Sequence, residues 1–141
     1  MSNVKDKVID MLKTPQLTSL ATITLEGKPW TRYVMMQSDE NFVLRSAVCI
    51  HSRKIKQIEK NPEVHITFGI NDPSELDKPY VQIQGTASIT TDPKEKKDYW
   101  FDMLSAVFAG PDDPSYAIMK VTPYRVEFMN PGVMKPDVWE A

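Results

Sequence analysis

The chain has 141 residues, 17 Lys and Arg against 19 Asp and Glu, and a formal net charge of −2. With 41% hydrophobic and 26% charged residues it matches an average globular domain, which excludes disorder, a collagen and a disulfide scaffold. The longest purely apolar runs, such as Tyr33–Met36 and Ala47–Ile50, hold four residues, far short of the roughly twenty of a transmembrane helix.

Val4, Val8, Met11 and Leu12 recur at helical spacing and predict a helix over 3–13, ended by Thr14-Pro15. Residues 17–25 alternate, with Leu17, Ser19, Ala21, Ile23 and Leu25 on one face and Thr18, Thr22 and Thr24 on the other. A turn at Glu26-Gly27-Lys28 leads to a second strand over 29–37, and the turn 38–41 to a third over 42–46. Ser52 to Lys60 reads as a short helix with Ile55 and Ile58 inward, closed by Asn61-Pro62. Val64, Ile66, Phe68 and Ile70 then alternate as a fourth strand. After a polar loop, Tyr80 to Thr91 is the clearest strand, with Val81, Ile83, Gly85, Ala87 and Ile89 sharing one face. Asp92, Pro93 and Glu95 form a strong helix start with a capping-box pattern, and Trp100, Met103, Leu104 and Val107 supply that helix's apolar face. Tyr116 to Val121 and Tyr124 to Met129 read as two further strands, and the tail from Asn130 shows no period. About seven strands and three helices, mostly joined by hairpin-length turns, predict a mainly β fold: a small antiparallel barrel with peripheral helices. The faces carrying Trp100 and carrying Tyr124, Val126 and Phe128 leave apolar surface that a two-fold dimer would cover. A single domain over 1–141 is expected. It is expected in the cytoplasm, since Lys5, Asp6, Lys7 and Asp10 do not suit a signal peptide and the one cysteine suits a reducing compartment.

Charge is distributed unevenly. Residues 45–60 hold Arg45, Arg53, Lys54, Lys56 and Lys60 against Glu59 alone, so this segment carries +4 and the rest of the chain −6. Arg53 and Lys54 fall in the first turn of the predicted helix, where the macrodipole disfavours cations unless an anion shares the site. With Ser52 as cap and free N–H groups, that helix start suits a phosphate. Spacing alone leaves a second reading, a solvated basic helix face. Arg32 shares its strand face with Val34 and Met36, either reaching to water from the strand end or aimed at the same anion. His51 and His65 stand alone, with His65 expected at the surface, and no metal-ligand spacing is present. Cys49 suits a small buried hydrophobe better than a nucleophile, and the Trp100 region suits core better than a ligand platform. The calculated pI near 5.7 argues against nucleic acid as a partner.

The segments RYVMM (32–36), SRKIKQIEKNPEV (52–64) and YVQIQGTASITTD (80–92) resemble the pyridoxamine 5'-phosphate oxidase-like, FMN-binding split-barrel superfamily, within it the short bacterial general stress proteins. The likeness runs over about residues 4–129. It implies a six- or seven-stranded antiparallel split β-barrel that forms a homodimer, with FMN in clefts at the interface. By this resemblance Arg32 contacts the phosphate or ribityl chain, and the backbone at Val34 and Met35 bonds the isoalloxazine edge. Ser46 touches the phosphate, and Arg53 and Lys54 are its main counter-charges. The implied function is an FMN-dependent oxidoreductase with an unknown small-molecule substrate and no assigned catalytic acid or base. The alternatives are a non-catalytic flavin carrier or sensor, and the same barrel using a deazaflavin or haem.

The sequence also departs from the full-length oxidases. Their C-terminal Arg-x-His substrate motif has no counterpart, since both histidines precede residue 66. Tyr80 stands where they often place a glutamine near the flavin, and Arg45 replaces an aromatic residue before Ser46.

Overall fold

The computed structural model describes residues 3–141; Met1 and Ser2, counted in the expected domain, lie outside the described residues. Helix α1 (Val4–Met11) is capped by Asn3, whose Oδ1 accepts from the Asp6 N–H at 2.8 Å, and it buries Val8, with Leu12 just past its end. Then come strands β1 (Gln16–Ile23), β2 (Pro29–Ser38) and β3 (Leu44–Cys49), helix α2 (Arg53–Lys60), and strands β4 (Glu63–Phe68) and β5 (Tyr80–Thr90). Helix α3 (Pro93–Tyr99) and strands β6 (Tyr116–Met129) and β7 (Asp137–Glu140) complete the order. The strands run β3-β2-β1-β4-β5-β6-β7, all antiparallel, and β3 also pairs with β6. That pairing closes six strands into a barrel, with β7 added on β6. The mainly β split barrel expected from the sequence is the fold found. Among the described residues no helix is long and apolar enough to cross a membrane.

The barrel is closed unevenly. Strand β2 meets β3 only at Gln37–Arg45 and Ser38–Leu44, after which β3 runs along β6 from Leu44–Val121 to Cys49–Tyr116. From Pro29 to Met36, β2 therefore has β1 on one side and, among the described residues, no strand on the other. The third strand lies two or three residues later than the sequence predicts, because Asp39 Oδ1 gathers the Asn41 and Val43 N–H groups and keeps 39–43 in the turn.

The two strands expected at 116–121 and 124–129 are one continuous strand, β6. Pro123 cannot donate to the ladder, but it lies opposite Gly85 at a shift of register that absorbs the missing bond. A Cβ on Gly85 would meet Thr122 O and the Val121 side chain at 2.9 Å, so the close approach of the two strands requires glycine.

The core contains the expected β5 face, with Val81, Ile83 and Ala87 packed among Leu20, Met36, Leu44 and Ile66. Strand β1 alternates as expected, and the structure decides which of its faces is buried. Thr18, Leu20 and Thr22 are buried, whereas Leu17, Ser19, Ala21 and Ile23 face outward, opposite Met35, Tyr33, Thr31 and Pro29. Both threonines tolerate burial because their hydroxyls donate, Thr18 to the Val34 carbonyl at 2.9 Å and Thr22 to Gln57 Oε1 at 2.6 Å. Val126 and Phe128 likewise point into the core, leaving Tyr124 as the exposed member of that set. The exposed apolar side chains include Leu17 of β1, Trp30 and Tyr33 of β2, and Met103 and Val107 in the segment after Tyr99.

Asp92 caps α3 through the Glu95 N–H at 3.3 Å, with Pro93 at the first helical position. The helix stops at Tyr99 and a 3-10 turn follows over Asp102–Ala106, so the expected apolar helix face is broken. Trp100 is extended and stands edge-on to Tyr116, ring centroids 5.5 Å apart, in a second small core with Phe108 and Ile118. Burial of that ring outweighs helix propensity here. The tail is not irregular throughout: β7 pairs with β6, and Trp139 meets the edge of Phe42 at 5.4 Å.

Glu95 does not complete a capping box. Its carboxylate reaches Lys120 at 2.8 Å and Arg45 at 3.3 Å, and Arg45 also holds Asp39 at 2.7 Å, tying α3 to β3, β6 and the β2–β3 turn. The hydrogen bond from Lys120, with Arg45 beside it, holds the Glu95 pKa below the ordinary carboxylate value despite some burial. A carboxylate that ionises more readily folded than unfolded contributes stability above its unfolded pKa, about 4.3, and loses it as pH falls through the lower folded value. Thermal melts from pH 6 down to pH 3, conditions bracketing that range, should show Glu95→Gln less stable than the parent at the upper end. The difference should shrink toward the acid end, and a constant difference would mean that Glu95 acts by packing alone.

Candidate functional site

Where β2 and β3 part, a groove of about 360 Å³ opens between them. Tyr33, Val34 and Met35 of β2 line it on one side and Ser46 to Cys49 of β3 on the other. Tyr99, Phe101 and the turn that follows supply further wall. Among the described residues Lys54 is the one charged residue on these walls. The β2 edge bordering the groove carries backbone N–H and C=O groups with no partner strand, which a bound molecule could pair with. The walls are otherwise mostly apolar side chains, the character of a small-molecule site.

The chain leaves β3 through a tight turn into α2. The Ser52 N–H and hydroxyl both donate to the Cys49 carbonyl, at 3.0 and 2.8 Å. Ser52 is therefore the N-cap residue by position but does not cap with its side chain, contrary to the sequence reading. The amides of Arg53 and Lys54 have no hydrogen-bond partner among the described residues, and the first turn holds no acidic residue. Two cations thus sit at the positive end of the helix dipole with nothing to offset them.

Arg32 follows on β2, opposite Leu20. Its Nη1 donates to the Thr22 hydroxyl at 2.6 Å and more weakly to the Trp30 carbonyl at 3.2 Å, and its Nη2 donates to Gln57 Oε1 at 3.2 Å. Burial and then repulsion from Arg53 lower its pKa from the ordinary arginine value. Burial and then Arg32 lower that of Lys54. Among the described residues no carboxylate lies within 4.0 Å of Arg32, Arg53 or Lys54. The three cations repel one another and share no counter-ion.

Of the residues singled out from sequence, Val34, Met35, Ser46 and Lys54 are brought together on the groove. Ser46 is buried, and its hydroxyl makes only a long bond of 3.5 Å to the Ala47 carbonyl. Arg53 instead lines a neighbouring groove of about 350 Å³ with Trp30, Lys56 and Gln57, and Arg32 lines neither. Arg45 leaves the basic patch altogether, since Asp39 and Glu95 neutralise it. Cys49 is half-buried on the groove wall rather than enclosed in core. His65 is half-buried on the outer face of β4, where burial lowers its pKa despite the Glu127 charge.

Sequence reasoning missed Thr22 and Gln57, the partners of Arg32, and the wall after Tyr99. Gln57 lay within the family-like segment, and its burial beside Ile58 at a helical position was the available signal. Nothing local indicated that the segment after Trp100 would unwind and border the groove.

The geometry can be set beside known proteins. The family of pyridoxamine 5'-phosphate oxidases matches residues 4–130. General stress protein 26 of Bacillus subtilis (strain 168) is 33% identical over 134 residues, 95% of this chain and 94% of that one. The crystal structure of general stress protein 26 from Bacillus anthracis str. Sterne superposes with a TM-score of 0.83 at 29% identity, covering 98% of each chain. The fold alone is shared with a heme binding protein from Mycobacterium smegmatis, TM-score 0.69 at 16% identity over 99% of this chain and 59% of that one. It is shared too with an F420 reductase, TM-score 0.63 at 22% identity over 83% and 93%. With a family match over nearly its whole length and a relative of this identity, the chain belongs to the pyridoxamine 5'-phosphate oxidase family.

Proposed function

We propose that the chain binds FMN at the groove between β2 and β3 and acts as an FMN-dependent oxidoreductase on a small molecule. The observation that carries this reading is the uncompensated cluster of Arg32, Arg53 and Lys54 at a helix start whose amides are free, beside an apolar groove bordered by open backbone. This donor set fits the three parts of FMN. Arg53, Lys54, Ser46 and Arg32 would hold the phosphate end, the β2 backbone at Val34 and Met35 the heteroatom edge of the ring, and the apolar walls its faces. Bound there, the flavin would supply electron and hydride transfer. The chain's own part is to anchor the anion, orient the ring by backbone bonds and exclude water with Phe101, Leu104 and Phe108. With a single cysteine and no membrane-spanning helix among the described residues, the cytoplasm is its proposed location.

Titration of ligand-free protein with FMN and with riboflavin tests this reading. Removing both cations in Arg53→Ala with Lys54→Ala should weaken FMN binding by about a hundredfold or more, since charged hydrogen bonds contribute about 1.5–3 kcal/mol each. Riboflavin should be little affected, and the melting temperature should hold or rise because the dipole conflict is relieved. Equal losses for both flavins would show that these residues do not read the phosphate. The fold is shared with proteins described as heme-binding and as an F420 reductase, so a Soret band or a deazaflavin spectrum in the isolated protein would replace FMN in this assignment.

A homodimer is the second element of the proposal. Outward on β1 and β2 stand Leu17 and Tyr33, 46% and 77% exposed, an apolar face on the barrel exterior next to the groove. A two-fold partner would cover it and shield the groove. Light scattering should give twice the chain mass, and Tyr33→Asp with Leu17→Asp should yield monomer. A monomeric parent that binds FMN tightly would rule out an interface site.

The reaction is not expected to be pyridoxamine phosphate oxidation. That substrate brings a second phosphate, whereas Lys54 is the one charged residue on the groove, and Arg125 is held by Glu127 and Glu140 on the outer sheet. An anion without a partner would leave water uncompensated. Holoprotein incubated with pyridoxamine phosphate and oxygen should form negligible pyridoxal phosphate. Turnover of about 1 per second or more, ordinary for an enzyme, would restore the oxidase activity.

A further inference from the structure

Arg32 is held by an acceptor that carries no charge. Its Nη2 donates to Gln57 Oε1 at 3.2 Å, its Nη1 donates to the Thr22 hydroxyl at 2.6 Å, and that hydroxyl donates to the same Gln57 oxygen at 2.6 Å. A guanidinium has only donors, so the amide atom facing it must be the oxygen. Thr22 is fully buried and Gln57 8% exposed, and they come from different elements, β1 and α2. Gln57 sits one turn along from Arg53 and Lys54, so the helix that presents the two free cations also directs the third. A buried polar triangle of this kind is tolerated only when its bonds are satisfied, which makes its geometry specific. Arg32 itself is half-buried, and an arginine in such a place usually meets a carboxylate, which gives stronger bonds and cancels the charge. Here none is within 4.0 Å among the described residues.

We propose that Gln57 is a positioning residue for the anion site: its uncharged oxygen fixes the direction of Arg32 and leaves the full guanidinium charge for the ligand phosphate. The role rests on the FMN reading above. A glutamate at this position would make the same two bonds and cancel the charge. A methionine would fill the space and hold nothing.

The test compares wild type, Gln57→Glu and Gln57→Met, each checked for an intact thermal transition, in titrations with FMN and with riboflavin. Gln57→Glu should cut the preference for FMN by about tenfold or more, one unpaired charge having been neutralised. In an Arg32→Met background the same change should alter the preference by about threefold or less, because its target is gone. Nitrogen-15 NMR of arginine side chains in the ligand-free protein gives a reading independent of flavin. Arg32 should show resolved, slowly rotating Nη groups in wild type and in Gln57→Glu, and averaged ones in Gln57→Met. An unchanged FMN preference in Gln57→Glu, an equal loss with Arg32 absent, or averaged Nη signals in wild type would each overturn the role of Gln57. A wild-type protein that takes neither flavin overturns the FMN reading itself, and the role of Gln57 with it.

Discussion

Strands β2 and β3 share two residue pairs and then separate, and most of what distinguishes this barrel follows from that separation. Strand β3 leaves to pair with β6, and Leu44 and Val48 pack in the core with Val121 and Met119. Strand β2 keeps β1 alone, so its backbone from Pro29 to Met36 has an open edge. Unpaired edges invite association and are usually covered or blunted. Here the edge borders a groove whose other side is β3, a place for a ligand to make the missing bonds.

The same departure sets the electrostatics. At the end of β3 the chain turns through Ser52 into α2, which brings the helix start to the groove. Placing Arg53 and Lys54 there works against the dipole, and Arg32 adds a third cation nearby. Three other cations are treated differently. Arg45, Lys120 and Arg125 are matched by Glu95, Asp39, Glu127 and Glu140 and act as ties between elements.

Membership of the pyridoxamine 5'-phosphate oxidase family sets the scaffold, and what a scaffold binds is a property of particular side chains rather than of the fold. The similarity to general stress protein 26 extends over nearly the whole of both chains. Among the described residues the groove has an apolar wall after Tyr99 and Lys54 as its one charged side chain.

Much of this was written locally in the chain. Strict alternation over 80–90 determined β5 and its buried face, and the clustering of Arg53 and Lys54 after Ser52 located the helix start. Three features could come only from tertiary structure. Strand β1 alternates cleanly, yet its buried side is the threonine side, because Val34 and Gln57 accept from those hydroxyls and the apolar side is left outward. The segment after Tyr99 has helical spacing, but the ring of Trp100 gains more against Tyr116 than the helix would by continuing. Arg45 belongs to the basic run by position, and only the fold brings Glu95 and Asp39 to it. Local sequence determines which residues alternate and where charge accumulates; the side that is buried, and the charge that stays unmatched, are decided by partners distant in the chain, because burial and ion pairing are properties of pairs.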